Sequence, residues 1–278
     1  MKLAYSTLAC PDWTVEQCAE AANRYQYDAI EWRLADGEII SPQTAPEVKR
    51  RVVEATRRNG LKVACLDTSC KFVQPTPSER ARVVRETQAM VELAGELEAP
   101  FLRVFGGAIL ENMTRDELIP PTAEALAEAA AYAASHGVTI LLETHDDWAR
   151  SQDVVALLCE ARAPKGLAVL WDVHHPYRMG EKPRETYATL TKATRIAHVH
   201  VKDARRQPAN PNEWQLTLLE EGEVPVKEAL QVLNEAGYSG YVSVEWEKKW
   251  HPEIDPPEIA LPQFANLLRW YLAEMEAA

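Results

Sequence analysis

Positive charge is scarce in this sequence. Its 30 Lys and Arg residues are outnumbered by 42 Asp and Glu residues, which leaves a formal net charge of −12 at pH 7. Proteins that bind nucleic acid present Lys and Arg to the phosphate backbone, so this balance argues against a nucleic-acid partner. The same excess of negative charge is repelled by anionic membrane surfaces.

Cysteine pairs and long apolar runs are also lacking. The five cysteines are odd in number and form no CxxC pair, so we expect reduced thiols and a cytoplasmic protein. The apolar run in the N-terminal segment MKLAYSTLACPDW is too short for a signal peptide, and the segment is too polar. No apolar stretch approaches the ~20 residues that a membrane helix needs, so no membrane partner is predicted.

Short β-rich runs alternate with longer amphipathic runs along the whole chain. Eight runs rich in Val, Ile, Leu and aromatic residues are predicted as strands: Leu3–Leu8, Ala29–Leu34, Leu61–Asp67, Phe101–Phe105, Val138–Glu143, Leu167–Asp172, Ile196–Val201 and Tyr241–Trp246. Eight runs are predicted as helices: Val15–Arg24, Pro46–Arg58, Glu79–Glu98, Thr122–Ser135, Ser151–Ala161, Glu185–Thr191, Val226–Ala236 and Leu261–Met275.

Strict alternation of this kind is typical of parallel βαβ units. A doubly wound open sheet also alternates, but eight repeats in 278 residues favour a closed barrel, which takes about 250 residues as one domain. No linker or low-complexity segment divides the chain. We therefore predict the α/β class and a single (β/α)8 TIM barrel spanning residues 1–278. Pro-rich segments after strands 3, 7 and 8 are expected to be loops at the rim.

Polar side chains gather at the ends of the last four predicted strands. Glu143 ends strand 5, Asp172 ends strand 6, His200 lies near the end of strand 7, and Glu245 near the end of strand 8. Strand C-termini converge at one mouth of a barrel, so these four side chains are expected to meet. One carboxylate at a strand end is more often a loop charge, but four successive strands make coincidence a poor explanation.

A cluster of carboxylates needs a cation among them. The sequence therefore predicts one divalent metal ion held by Glu143, Asp172, His200 and Glu245. Three hard oxygen donors with one imidazole favour Mn²⁺, with Mg²⁺, Co²⁺ or Zn²⁺ as alternatives.

Several neighbouring residues are further candidates. His198 shares a strand face with His200, and we expect it and Lys202 to support the metal ligands from behind. His145 is a candidate substrate-binding residue, and an acid for a leaving group, a fifth ligand and a loop residue are left open as its role. Glu31 in strand 2 and Trp246 at the end of strand 8 are predicted to touch the substrate, although a tryptophan here packs in the core just as readily.

Four segments resemble the xylose-isomerase-like TIM-barrel superfamily, known as sugar phosphate isomerases/epimerases. They are ETH at Glu143, WDVHH around Asp172, HVHVKD from His198 and VSVEW up to Trp246, and the resemblance covers nearly the whole chain. The ketose 3-epimerase branch implies the same four metal ligands. It also implies that Glu143 and Glu245 act as general base and acid.

The resemblance also implies two substrate contacts. His175 stands three residues after the strand-6 Asp, and Arg206 stands six residues after the strand-7 His, as in the ketose 3-epimerases. Arg205 is adjacent to Arg206, so the choice between them is open.

The implied activity is proton transfer next to a carbonyl of a sugar or polyol, through an enediolate. A metal-dependent dehydratase acting on a keto-inositol or keto-sugar is the alternative, since enolisation is its first step too. An endonuclease-type DNA repair enzyme is less favoured, because strands 3 and 4 end in LDTSCKF and RVFGGA without histidine. A non-catalytic sugar-binding barrel is disfavoured by the intact ligand set. No Gly-rich phosphate loop is present, and a homo-oligomer is left open.

Overall fold

Eight parallel strands form a closed barrel in the computed structural model, which describes residues 1–162 and 164–277. The barrel strands are β1 (Lys2–Ser6), β2 (Ala29–Trp32), β3 (Lys62–Lys71), β4 (Phe101–Phe105), β5 (Thr139–Glu143), β6 (Leu167–Asp172), β7 (Ile196–Val201) and β8 (Tyr241–Val244). Each strand pairs with the next along the chain, and β1 closes the ring by pairing Lys2 with Tyr241. The predicted (β/α)8 barrel is confirmed.

Helices connect the strands. They are α1 (Val15–Arg24), α2 (Pro46–Arg58), α3 (Pro77–Glu96), α4 (Arg115–Ser135), α5 (Ser151–Glu160), α6 (His174–Arg178), α7 (Pro183–Leu190), α8 (Val226–Glu235) and α9 (Pro257–Ala277). The sequence predicted the fourth helix only from Thr122, because Pro120 and Pro121 disfavour a helix interior. The helix starts earlier because Thr114 and Glu117 form a reciprocal capping box ahead of the prolines.

Side chains alternate between the two faces of each strand. On β6, Ala168 and Leu170 belong to a small apolar cluster, separate from the main core, and Asp172 follows at the next position of the same face. Val169 and Trp171 point the other way, into the main core. Because Asp172 is the last residue of the inner face of β6, its carboxylate lies at the C-terminal mouth of the barrel.

A hairpin rises from the mouth after β7, where the sequence predicted a Pro-rich loop. Residues Asp203–Gln207 and Asn210–Thr217 pair as antiparallel strands, with Arg206 opposite Trp214. The alternation of Trp214 and Leu216 with polar residues is a strand signal that the prolines obscured. A shorter hairpin after β2 joins Leu34–Ala35 to Glu38–Ile39.

None of the helices in the described part of the chain is both long and apolar enough to span a membrane.

Asp203 fastens the hairpin to the segment that follows it. Its buried carboxylate accepts hydrogen bonds from the backbone N–H groups of Ala204, Glu220, Gly222 and Val224, at 2.8, 2.9, 3.1 and 3.1 Å. The approach is so close that a Cβ at position 222 would lie 2.1 Å from Asp203 Oδ1.

We predict that Asp203→Asn destabilises the protein. The amide nitrogen cannot accept a hydrogen bond, so two of the four N–H groups lose their acceptor, at about 1–3 kcal/mol each. Urea unfolding followed by circular dichroism measures the change. Asp12→Asn, at an exposed position, is the control, and equal stability of the two variants would contradict the assignment.

Candidate metal centre and active site

The four predicted metal ligands meet inside the mouth of the barrel. One donor atom each from Glu143, Asp172, His200 and Glu245 lies within 4.8 Å of the others, and all four residues are buried. They come from β5, β6 and β7 and from the residue after β8, so four neighbouring strands of the ring supply the cluster.

Several atoms of this cluster lack a hydrogen bond. Glu143 Oε1 and His200 Nδ1 are buried and make no hydrogen bond within the described residues, and Asp172 Oδ2 lies 2.9 Å from the ammonium of Lys202. His200 Nδ1 lies 3.3 Å from Glu143 Oε1 and 3.4 Å from Glu245 Oε2. Buried polar atoms left in this way are costly, and a shared cation satisfies them together. The donor set therefore fits a divalent metal ion.

Glu31 holds the ring of His200 in place. Its Oε1 lies 2.9 Å from His200 Nε2, and its Oε2 lies 2.5 Å from Nε2 of His198. A carboxylate on the far nitrogen fixes the orientation of a histidine ligand and leaves Nδ1 directed at the cluster. The predicted substrate contact of Glu31 does not fit this fully buried position. The supporting position predicted for His198 does fit.

Lys202 lies against the candidate metal ligands themselves. Its Nζ is 2.9 Å from Asp172 Oδ2, 2.5 Å from Glu245 Oε2 and 2.5 Å from Glu247 Oε1. The sequence predicted a position behind the ligands, whereas this buried ammonium faces two of them. Lys202 thus supplies positive charge in the centre of the cluster.

Arg103 is the cation that the sequence prediction missed. It lies in the middle of β4, where it donates from Nη1 to Glu143 Oε2 at 2.9 Å, and its Nε lies 3.5 Å from Asp67 Oδ1. An arginine inside the apolar run FLRVF was the available signal, since such a charge is buried only with partners.

The buried charges shift one another's pKa values. Burial raises the pKa of Asp172 to about 6 against the opposing charge of Lys202. For Glu143, burial is outweighed by Arg103, and the pKa falls below its ordinary value. For Glu245, Lys202 and His200 outweigh burial and hold the pKa well below that value. The pKa of His200 is raised well above its ordinary value, because Glu31 and Glu245 outweigh the effect of burial.

Two more of the predicted residues border the open part of the mouth. His175 Nε2 lies 3.4 Å from Asp172 Oδ2, and its ring meets the ring of His145 edge-on at 4.3 Å between centroids. Both histidines line a cavity of about 700 Å³ together with His174, Glu247 and Trp214. Burial lowers the pKa of His175 well below its ordinary value. The pKa of His145 is raised, since a hydrogen bond with Asp146 outweighs burial.

Arg206 and Trp246 lie apart from the ligand cluster. Arg206 is exposed on the hairpin after β7, with its guanidinium 5.1 Å from the ring of Trp214 and its Nε 3.9 Å from Glu223. Trp246 is fully buried, donates from Nε1 to the carbonyl of Asp255 and packs against Phe264. Its predicted stacking on a substrate does not fit this position, because the ring faces the core.

The chain matches the model of a known protein family. A family model described as xylose isomerase-like TIM barrel matches residues 19–269. The chain belongs to the xylose isomerase-like TIM-barrel family.

Two curated relatives of this xylose isomerase-like barrel are enzymes of inosose chemistry by name. An inosose isomerase from Halalkalibacterium halodurans is 24% identical over 258 residues, which cover 88% of this chain and 87% of the relative. An inosose dehydratase from Geobacillus thermodenitrificans is 28% identical over 156 residues, which cover 51% of this chain and 49% of the relative.

Solved structures share the architecture of the xylose isomerase-like barrel. A D-tagatose 3-epimerase-like protein superposes with a TM-score of 0.80 and 20% identity, over 100% of this chain and 99% of that one. The IOLI protein, solved with a bound zinc atom, gives a TM-score of 0.76 and 15% identity over 99% and 98%. At these identities the likeness shows the shared fold.

We predict that metal binding to this barrel releases protons. A ligand must be deprotonated to bind, and His200, whose pKa is raised, carries a proton in the metal-free protein. The affinity should therefore fall as the pH falls, and more steeply below about 6, where Asp172 also takes up a proton.

Titration calorimetry with Mn²⁺ in buffers of different ionisation enthalpy measures the proton count. We expect binding at least about tenfold weaker at about pH 5.5 than at about pH 7.5. His200→Ala should lose the site, whereas His136→Ala, at an exposed position, should keep it. Equal affinity at both pH values with no proton release would contradict this assignment.

Proposed function

We propose that this chain is a divalent-metal-dependent isomerase or epimerase that moves a proton at a carbon beside a carbonyl group of a sugar or polyol. The observation that carries the proposal is the convergence of Glu143 and Glu245 on His200, each glutamate held by its own buried cation. The names of the inosose isomerase relative and of the epimerase-like structure support this class of substrate.

Glu143, Asp172, His200 and Glu245 would hold the ion, and we propose Mn²⁺, with Mg²⁺, Co²⁺ or Zn²⁺ as alternatives. When bound, a divalent cation supplies Lewis acidity that stabilises negative charge on a substrate oxygen. The zinc atom bound in the IOLI structure supports a metal in a barrel of this fold, although that likeness extends to the fold only.

The two glutamates are proposed as base and acid. Both have lowered pKa values and are ionised at neutral pH, so either can accept a proton from the substrate carbon. Arg103 holds Glu143 Oε2, while Glu143 Oε1 makes no hydrogen bond in the described residues and faces the proposed ion site, where the substrate would also lie. Epimerisation requires removal of a proton from one face and its return to the other, for which two carboxylates on separate strands are suited.

His175 is proposed to orient the substrate. Burial keeps its ring neutral, so one ring nitrogen donates a hydrogen bond and the other accepts one. Both of its ring nitrogens are without hydrogen bonds in the described residues, which leaves them for substrate oxygens. Arg206 lines the neighbouring cavity, and we propose no contact between it and the reacting carbon.

A metal-dependent dehydratase is the second candidate, and His145 is the residue that favours it. Its raised pKa makes this histidine a proton donor near neutral pH, and its ring stands beside His175 in the mouth. A dehydratase needs such an acid to protonate the departing hydroxyl group. The inosose dehydratase relative supports this alternative over about half of the chain.

The free state of all five cysteines supports a reducing compartment, and we propose the cytoplasm.

We predict that Glu143→Gln and Glu245→Gln each lower turnover by at least about 10²-fold, since a removed acid or base typically costs 10²–10⁴-fold. The measurement is deuterium uptake from solvent into ketoses and keto-inositols, on protein loaded with Mn²⁺. Glu235→Gln, on the outer face of α8, is the control and should retain activity. Near-normal turnover in either active-site variant would contradict the assignment of base and acid.

The product distinguishes the two candidate reactions. An epimerase or isomerase incorporates one deuterium without losing water, and His145→Gln should then lower the rate by less than about tenfold. A dehydratase releases water, and His145→Gln should block that release while proton exchange at the carbon continues. Mass spectrometry of the product with the wild type and this variant decides between them.

A further inference from the structure

We propose that the substrate of this site carries a carboxylate, and that Arg33 binds it in a cavity beside Glu245. The inference rests on the proposed function for its catalytic meaning, but the binding itself can be measured without turnover.

Arg33 is a buried cation that no carboxylate pairs. It follows β2 directly, and only 6% of its surface is exposed. Its Nη1 donates to the carbonyl oxygen of Asp67 at 3.2 Å and its Nη2 to Ser69 Oγ at 2.6 Å. Among the described residues no carboxylate oxygen lies within 4.0 Å of its guanidinium nitrogens. A buried charge without a counter-ion is costly unless a ligand provides one.

The other charged groups around Arg33 already have partners. Arg103 is paired with Glu143, Lys71 lies 3.6 Å from Asp146, and Lys202 holds Glu245 and Glu247. Each of these three cations therefore has a carboxylate within 4.0 Å, whereas the described residues supply none for Arg33. Burial and the charge of Arg103 lower the pKa of Arg33 to about 10, so it is still protonated at neutral pH.

The cavity brings this charge together with the proposed catalytic residues. Its volume is about 250 Å³, and its lining includes Arg33, Arg103, Lys71, His145, Glu245 and Trp250. That is less than the roughly 300–1,000 Å³ of sites for drug-sized ligands, and it suits a small metabolite. An occupant that touches Glu245 therefore has Arg33 on the same wall.

The chemistry of the guanidinium favours a carboxylate as the group bound. Two of its five N–H groups are used by Asp67 and Ser69, and the remaining ones suit the two oxygens of a planar carboxylate. A single unpaired positive charge balances a monoanion, whereas a phosphate carries nearly two charges at neutral pH. The local charge also offsets the net charge of −12, which otherwise opposes an acidic substrate.

The test compares three small probes that differ at one end: D-glycerate, glycerol and glycerol 3-phosphate. Their dissociation constants for the Mn²⁺-loaded protein are measured by ligand-observed NMR or calorimetry. We expect D-glycerate to bind at least about tenfold more tightly than glycerol and also more tightly than glycerol 3-phosphate. No preference for D-glycerate, or a preference for the phosphate, would overturn the proposal.

Variants assign the preference to Arg33. Arg33→Gln should abolish it while leaving glycerol binding unchanged, and Arg33→Lys should retain part of it. The control Arg80→Gln removes an arginine that also donates to a backbone carbonyl, that of Gln74, but does not line the cavity. If the preference survives in Arg33→Gln, the carboxylate is bound elsewhere and the proposal fails.

Two further measurements keep the result interpretable. If Arg33→Gln fails to fold, Ser69→Ala takes its place, because it keeps the charge of Arg33 and removes one of its two hydrogen-bond partners. In this variant the preference for D-glycerate should weaken but persist. The binding preference is measured without turnover, so failure of the wild type to exchange deuterium into ketoses and keto-inositols would count against the proposed function and leave the carboxylate preference as it is. Loss of turnover chemistry and loss of carboxylate binding are therefore seen separately.

Discussion

Buried carboxylates in the centre of the barrel mouth require positive charge from the same small volume. Glu143, Asp172 and Glu245 are removed from water, and each would be protonated or expelled without compensation. Arg103, His200 and Lys202 supply that compensation from β4, from β7 and from just beyond β7. The arrangement keeps two glutamates ionised, and the proposed chemistry depends on their being ionised.

The two glutamates are held by different kinds of cation. A guanidinium stays protonated under all ordinary conditions and binds in a fixed geometry, so Glu143 keeps one oxygen committed to Arg103. Glu245 is held by a lysine, whose flexible chain contacts Glu247 as well. Lys202 thus links the ligand cluster to the cavity that opens beyond Glu247.

The segment from His198 to Asp203 combines several tasks in six residues. His198 and His200 share Glu31 beneath the site, Lys202 lies among the ligands, and Asp203 fastens the hairpin that borders the cavity. Because these side chains alternate along one strand and its extension, a shift of register would displace all of them together. Asp203, which holds the hairpin, therefore lies directly beside the proposed metal ligands in the sequence.

The sequence by itself determined the barrel and the four clustered ligands. Strands and helices alternate with clear local periodicity, and a closed barrel brings strand C-termini to one mouth, so the meeting of Glu143, Asp172, His200 and Glu245 followed from their positions. Only the tertiary structure decided the contacts that depend on packing between distant segments. It placed Glu31 against His198 and His200, buried Trp246, and set Arg206 at the rim. Within residues 1–162 and 164–277 it also left Arg33 without a carboxylate partner. Local pattern fixes which face of a strand a residue occupies, but the partner of a side chain is set by strands that lie tens of residues away.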